Sequence, residues 1–182
     1  FEGSQTEDAL NVILAGIDFE DVIFSNAISD GFDGDAVTGR IERASFLNIG
    51  GDGIDVSSSD LVAAELVFVQ IKDKAVSAGE ASRAKLADVF VKGAGIGIAS
   101  KDLSFVTVER VDFEEITHFA LASYQKKPEY GPSTMKAYVS ELEKSSERFV
   151  VEGDSVLWVN WKLLESQELD VEQLYESGIL GN

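Results

Sequence analysis

The chain has 182 residues, with 33 acidic against 15 basic side chains, a formal net charge of -18 and a pI near 4.2. A domain of this length buries roughly 70% of its unfolded surface, and 45% apolar residues is the composition of a folded chain rather than of an acidic tail. The charge argues against nucleic acid or anionic membranes as partners, no apolar run is long enough to enter a bilayer, and the absence of cysteine excludes disulfides, thiolate catalysis and cysteine-zinc sites. A start at Phe1 rather than Met suggests a processed form or a piece of a longer protein.

Phe24, Phe46, Phe68 and Phe90 recur at steps of 22 residues, and Phe113 follows after 23. Leu10, Phe32 and Ile54 keep the same step, as do Ala27, Ile49 and Ile71. So do Asp8, Asp30 and Asp52 and, three residues on, Asn11, Asp33 and Asp55. EDALNV from Glu7, SDGFDG from Ser29 and GDGIDV from Gly51 read as successive copies, and DKAVSAGE from Asp73 and GIGIASKD from Gly95 keep their outline. Apolar residues within a copy alternate, which is the period of a strand, and Gly, Asn, Asp and Ser between them supply turns.

These columns predict an all-β chain: a single-stranded right-handed parallel β-helix, a solenoid with about 22-residue coils whose neighbouring strands lie about 4.8 Å apart. A leucine-rich solenoid has a similar period, but its leucine and asparagine signature is absent. A β-sandwich would not put several columns in common register. One domain is expected over residues 1–182, with regular coils at 7–123 and a loop, irregular coils and a C-terminal cap at 124–182. YQKKPEYGPST from Tyr124 reads as a loop. Met135–Ser140, Phe149–Glu152 and Ser155–Asn160 read as strands, Glu141–Glu147 as a charged connector, and Val171–Glu176 as a short helix stopped by Gly178. Trp158 and Trp161 are expected to pack within the cap.

The stacked acidic columns bring like charges together, which calls for water, a cation or a basic group. Asp8, Asp30, Asp33, Asp52 and Asp55 are therefore candidate ligands of calcium, a hard cation that takes several oxygens in flexible geometry; the alternative is that they are turn residues bonded to nearby amides. Further along, Lys74 stands beside Asp73, followed by Glu80, Lys101, Asp102, Lys126 and Lys127, which could line a groove or form ion pairs between coils. If the chain is an enzyme, Asp33, Asp52 and Asp55 are candidate acids and bases on a glycosidic bond. Lys74 or Lys101 could instead remove a proton beside a uronate carboxylate. Glu80, Lys101, Tyr124, Lys126 and Lys127 are candidate substrate-binding residues. His118, the single histidine, cannot belong to a multi-histidine metal site, and GAGIG from Gly93 lacks the continuation of a phosphate loop.

FDGDAVTG from Phe32, GGDGIDV from Gly50, DKAVSAGE from Asp73 and KKPEYG from Lys126 resemble right-handed β-helix modules of secreted and surface carbohydrate-active proteins, including modules of large bacterial surface proteins. The resemblance covers residues 7–123. It implies an extracellular or cell-surface setting, association with polysaccharide or with neighbouring domains, and either a non-catalytic, accessory module or a polysaccharide-modifying lyase, hydrolase or epimerase; a purely structural adhesion or spacer role is the third reading. Asp52-Gly53-Ile54-Asp55 resembles the segment carrying the first catalytic carboxylate of polygalacturonases, but Asp73 is followed by Lys74 where that family has paired aspartates, and its histidine and Arg-Ile-Lys motifs are missing.

Overall fold

In a computed structural model of the protein, which describes residues 1–3, 8–143 and 148–181, the chain forms a single-stranded right-handed parallel β-solenoid. Glu7, the expected start of the coils, and residues 144–147 of the expected connector lie outside the described residues. The strands in chain order are β1 (Leu10–Ile13), β2 (Gly16–Ser25), β3 (Phe32–Asp35), β4 (Thr38–Ile49), β5 (Ile54–Ser57), β6 (Asp60–Gly79), β7 (Arg83–Lys101), β8 (Phe105–Tyr124), β9 (Thr134–Leu142), β10 (Phe149–Val151), β11 (Val156–Val159) and β12 (Lys162–Leu163). Helix α1 (Val171–Glu176) follows, with Asp170 capping its N-terminus through the Gln173 N–H, on the residues expected of it.

Each coil has three faces. On the first, Leu10, Phe32, Ile54, Val76, Ile98, Leu121 and Phe149 stack in parallel register. On the second, Ile17, Gly39, Leu61, Ala84, Val106, Met135 and Leu157 do so. On the third the column is Val22, Ala44, Leu66, Val89, Val111 and Val139. The corner between the second and third faces is turned by one residue in the left-handed region, successively Asp21, Arg43, Glu65, Asp88 and Arg110 with φ of 54, 53, 55, 53 and 60°. Non-glycine residues pay about 1–2 kcal/mol for that conformation, and bonds between coils offset it: Arg43 reaches Asp21 at 2.8 Å, and Arg110 reaches Asp88 at 2.5 Å. At the far side of the third face Asn26 and Asn48, also left-handed, bond to each other at 2.8 Å.

The corner between the first and second faces is lined inside by Ser59, Ser82, Ser104, Ser133 and Ser155, all buried. Ser59 Oγ accepts the Val37 N–H, Ser82 Oγ the Ser59 N–H and Ser104 Oγ the Ser82 N–H at 3.0–3.1 Å. The serine column thus satisfies amides that the bend leaves without a strand partner. This corner also varies in length, from two residues at 36–37 to nine at 125–133.

Packing explains the repeated Asp-Gly. The rings of Phe24, Phe46 and Phe68 lie in a buried stack with centroids 4.9 and 4.8 Å apart and near-parallel planes, and Phe1 continues it at 4.9 Å. A β-carbon on Gly31 would stand 2.8 Å from the Phe46 ring, one on Gly53 2.7 Å from the Phe68 ring, and one on Gly97 2.3 Å from the Phe113 ring. The rings of Phe46, Phe68 and Phe113 therefore each need a glycine on the first turn of the same coil. One expectation is corrected here: Phe90 does not extend the stack, because the first corner lengthens by one residue between Asp60 and Arg83 and places Val91 over Phe68. Phe90 faces outward at that point, and the matching glycine position is Ala75, the larger residue opposite the smaller partner.

The C-terminal segment does more than cover the last coil. Strand β12 turns back antiparallel on β11, Gln167 bridges to Glu152, and the chain then runs along the outside of the first face, where Leu169, Val171, Leu174, Tyr175 and Leu180 pack on Ile96, Ala99, Ala122, Tyr124 and Val150. The physical reason is on the first face itself: Ala99, Ala122 and Val150 make its outward column apolar in these coils, where earlier coils carry Asp33 and Asp55.

Gly53→Ala would place its β-carbon 2.6 Å from the Ala75 carbonyl oxygen as well as against Phe68. Overpacking of this kind costs about 1–3 kcal/mol, and urea unfolding should show that loss, whereas Val62→Ala, half exposed on the second face, should change stability by less than about 0.5 kcal/mol.

Candidate functional site

The ionisable residues picked out from the sequence gather on the outer side of the first face and its two flanking corners. Asp8, Asp30 and Asp52 do stack, and the stacking has a backbone purpose: Asp8 Oδ1 accepts the Asp30 N–H at 3.3 Å, Asp30 Oδ1 the Asp52 N–H at 2.6 Å, and Asp52 Oδ1 the Lys74 N–H at 2.8 Å. Each carboxylate holds the amide one coil on. Asn11, Asp33 and Asp55 lie in register beside them, with Asn11 donating to Asp33.

The 22-residue step is kept here, with Ile71 in register with Ile49 and Val76 with Ile54, so Lys74 rather than Asp73 falls beside Asp52. Lys74 is 2% exposed and Asp52 6%. The Lys74 ammonium stands 2.8 Å from Asp73 Oδ2 and 3.5 Å from Asp52 Oδ1, one cation between two carboxylates. Burial pushes Asp52 up to about 7 in spite of Lys74, while the two aspartates outweigh burial at Lys74 and raise it. The tail closes over this cluster: at Gly181, with φ of 97°, a β-carbon would touch the Asp73 carboxylate. Nearer the open coils, burial followed by Asp55 and Asp8 raises Asp30 to about 6, against the Asp52 N–H, which lowers it; burial followed by Asp35 and Asp55 raises Asp33 to about 6.

Lys101 lies back across Gly79, where a β-carbon would stand 3.3 Å from its Cε, and its ammonium comes to 3.9 Å from Asp55. Asp102 is buried, and its Oδ1 accepts the Lys126 and Lys127 N–H groups at 2.6 and 2.7 Å, pinning the 125–133 loop. Lys127 pairs with Glu80, to which the Tyr130 hydroxyl also donates at 3.4 Å. Tyr124 is not a platform for ligand: it is buried, and its hydroxyl bonds that of Tyr175 at 2.7 Å. Lys126 is drawn onto the Tyr175 ring at 4.0 Å and lowered by burial. Tyr175, pushed to about 12 by burial, and the glycines of the tail are the components that sequence reasoning missed, since they arrive from a non-repeating segment.

Between the tail and the corners of the open coils lies a polar cavity of about 420 Å³, lined by Asp30, Asp52, Asp55, Lys72, Asp73 and His118. The candidate catalytic residues are thus split. Asp33 and Asp55 edge open surface with the buried Lys101 reaching Asp55 from behind, whereas Asp52 and Lys74 are enclosed and committed to each other. Among the described residues no group of three or more acidic or histidine side chains is arranged to hold a metal ion. Comparison of the chain with protein-family models, with curated proteins and with solved structures gave no match in any of the three.

In the unfolded chain the aspartates titrate near 3.9, so between about pH 4 and 7 the folded protein holds protons on Asp30, Asp33 and Asp52 that the unfolded chain has released. Stability should fall as pH rises through this window and level off above it. Thermal unfolding should accordingly give a higher Tm at pH 5 than at pH 8, and Asp52→Asn, which keeps an acceptor for the Lys74 N–H, should remove the part of the slope nearest pH 7.

Proposed function

We propose that the protein is a non-catalytic module that works at the outer surface of a cell, as part of a larger protein, and holds polysaccharide on the open part of the first face. The observation that carries this reading is the division of the charged groups. Asp52, Lys74 and Asp102 are buried and bonded between coils, so they support the fold, while Asp33, Asp55, Glu80, Lys127 and Tyr130, with Lys101 at 9% exposure reaching Asp55, edge a surface running across successive coils. Carboxylates in register can accept from pairs of sugar hydroxyls, and the parallel strands repeat this arrangement at about 4.8 Å. Hydrolysis would ask for an acid and a base facing one bond, and proton abstraction for a lysine free of a partner; Lys74 has two partners and no open surface, which favours binding over turnover.

Retention on columns of neutral glucan and amino-sugar polymers, with and without added calcium, tests the proposal. The protein should be retained, Lys101→Ala with Lys127→Ala should weaken retention on the order of tenfold, and the recovered polymer should have unchanged chain length and no unsaturated ends. Shortened or unsaturated products would establish an enzyme instead, and loss of retention without calcium would assign the aspartate columns to a cation.

A further inference from the structure

The outer side of the second face, in the coils from β7 onward, differs from the rest of this acidic chain. Arg83 and Lys85 on β7, Lys136 on β9 and Lys162 on β12 are exposed, and none of them is ion-paired with a described residue. Asp60, in register with Arg83, and Glu109, in register with Tyr138, border the patch without pairing to it. Against these cations stand aromatic rings. Trp158 is 36% exposed and Trp161 80%, Tyr138 packs on Trp161 with centroids 4.9 Å apart at 55°, and Lys136 lies over the Phe105 ring at 5.8 Å. Lys136, Ala137, Tyr138, Trp158 and Trp161 enclose a cleft of about 240 Å³. Asn160 and Trp161 are both left-handed, with φ of 48 and 69°, and Asn160 is bonded through its side chain to both the N–H and the carbonyl of Val139. The turn that sets Trp161 outward is therefore held in place, and exposing an indole there has no role in the core.

From this arrangement we infer a second, independent binding site, for an acidic polysaccharide in which a uronate alternates with an uncharged sugar. Lys85, Thr107, Lys136 and Trp158 are consecutive rungs of one outward column. Rungs lie about 4.8 Å apart, close to the rise of one pyranose in an extended chain, so the strand axis of a saccharide laid across the coils meets one rung per sugar. Lys85 and Lys136 are two rungs apart, about 10 Å, which matches carboxylates carried on every second sugar. The ammonium groups neutralise those carboxylates, and Trp158 with the Tyr138 and Trp161 cleft presents flat apolar surface to the C–H face of an intervening ring. A net charge of -18 opposes any densely charged polymer; a charge on alternate sugars, bound on a face carrying its own cations and screened over about 8–10 Å from the acidic first face, meets less of that opposition. The site stands apart from the groove on the first face and does not depend on it.

The only tryptophans of the chain, Trp158 and Trp161, are both at this site, so intrinsic tryptophan fluorescence reads it directly. Titration of the whole chain with hyaluronan oligosaccharides, which alternate glucuronate and N-acetylglucosamine, should change the emission saturably. Lys85→Ala with Lys136→Ala should weaken binding on the order of tenfold, with the thermal midpoint as the control for folding, and Lys101→Ala with Lys127→Ala on the first face should leave it unchanged. A chito-oligosaccharide of equal length should bind at least about tenfold more weakly. Absence of a fluorescence response overturns the proposal, as does equal binding of the neutral oligosaccharide. Tighter binding of oligothymidylate would make the face a single-stranded nucleic-acid site instead, and loss of the response in the first-face variant alone would move the ligand to the other site.

Discussion

Everything in this molecule depends on each coil lying in register on the one before. Parallel pairing runs through all three faces from β1 to β11, and the side chains that fill the interior meet their own kind at a fixed spacing of about 4.8 Å. That spacing suits the centroid separation of offset-stacked aromatic rings, which lets Phe24, Phe46 and Phe68 fill one corner of the triangular section as a continuous pile. The pile is possible only because Gly31 and Gly53 leave room beside it. Apolar burial drives closure, but it is complementarity of ring and glycine, repeated coil by coil, that selects one register among the shifted alternatives.

The same register dictates what charge must do. A solenoid turns any repeated acidic turn into a ladder of like charges, and here three remedies operate. On the exposed second corner arginines are interspersed among the acids, as Arg43 beside Asp21 and Arg110 beside Asp88. At the start of the first face the aspartates turn to backbone amides and take up protons more readily than usual. Deeper along, Lys74 is inserted between Asp52 and Asp73 and roofed by the tail, a buried arrangement whose worth lies more in fixing position than in net stability.

The regular coils were legible in the sequence because their residues repeat: the steps of 22 through Leu10, Phe32 and Ile54, the alternation within each copy, and the serines at 59, 82 and 104 all reappear as stacked columns. Phe90 misled because one residue added at a corner slides every later column, and a periodicity count cannot locate such an addition. The charged residues of the candidate site could be gathered onto one face from the same columns. Which of them are enclosed could not, since enclosure is supplied by Tyr175, Leu180 and Gly181, whose segment has no period and whose docking follows from the apolar outward column of Ala99, Ala122 and Val150. The basic and aromatic second face was hidden for a related reason: Lys85, Lys136 and Trp158 become neighbours only when coils of unequal length are aligned.

The corner between the first and second faces absorbs most of that inequality, growing from two residues at 36–37 to nine at 125–133, whereas the corner at Asp21, Arg43, Glu65, Asp88 and Arg110 is one residue in each of these coils. Added length there closes a surface loop at an entropic cost that rises only slowly, and the serine column beneath keeps the amides satisfied whatever leaves and returns above it. The scaffold therefore has a main seam along which descendants of this chain can acquire inserted peptides, and along which a foreign loop could be grafted, without reopening the interior.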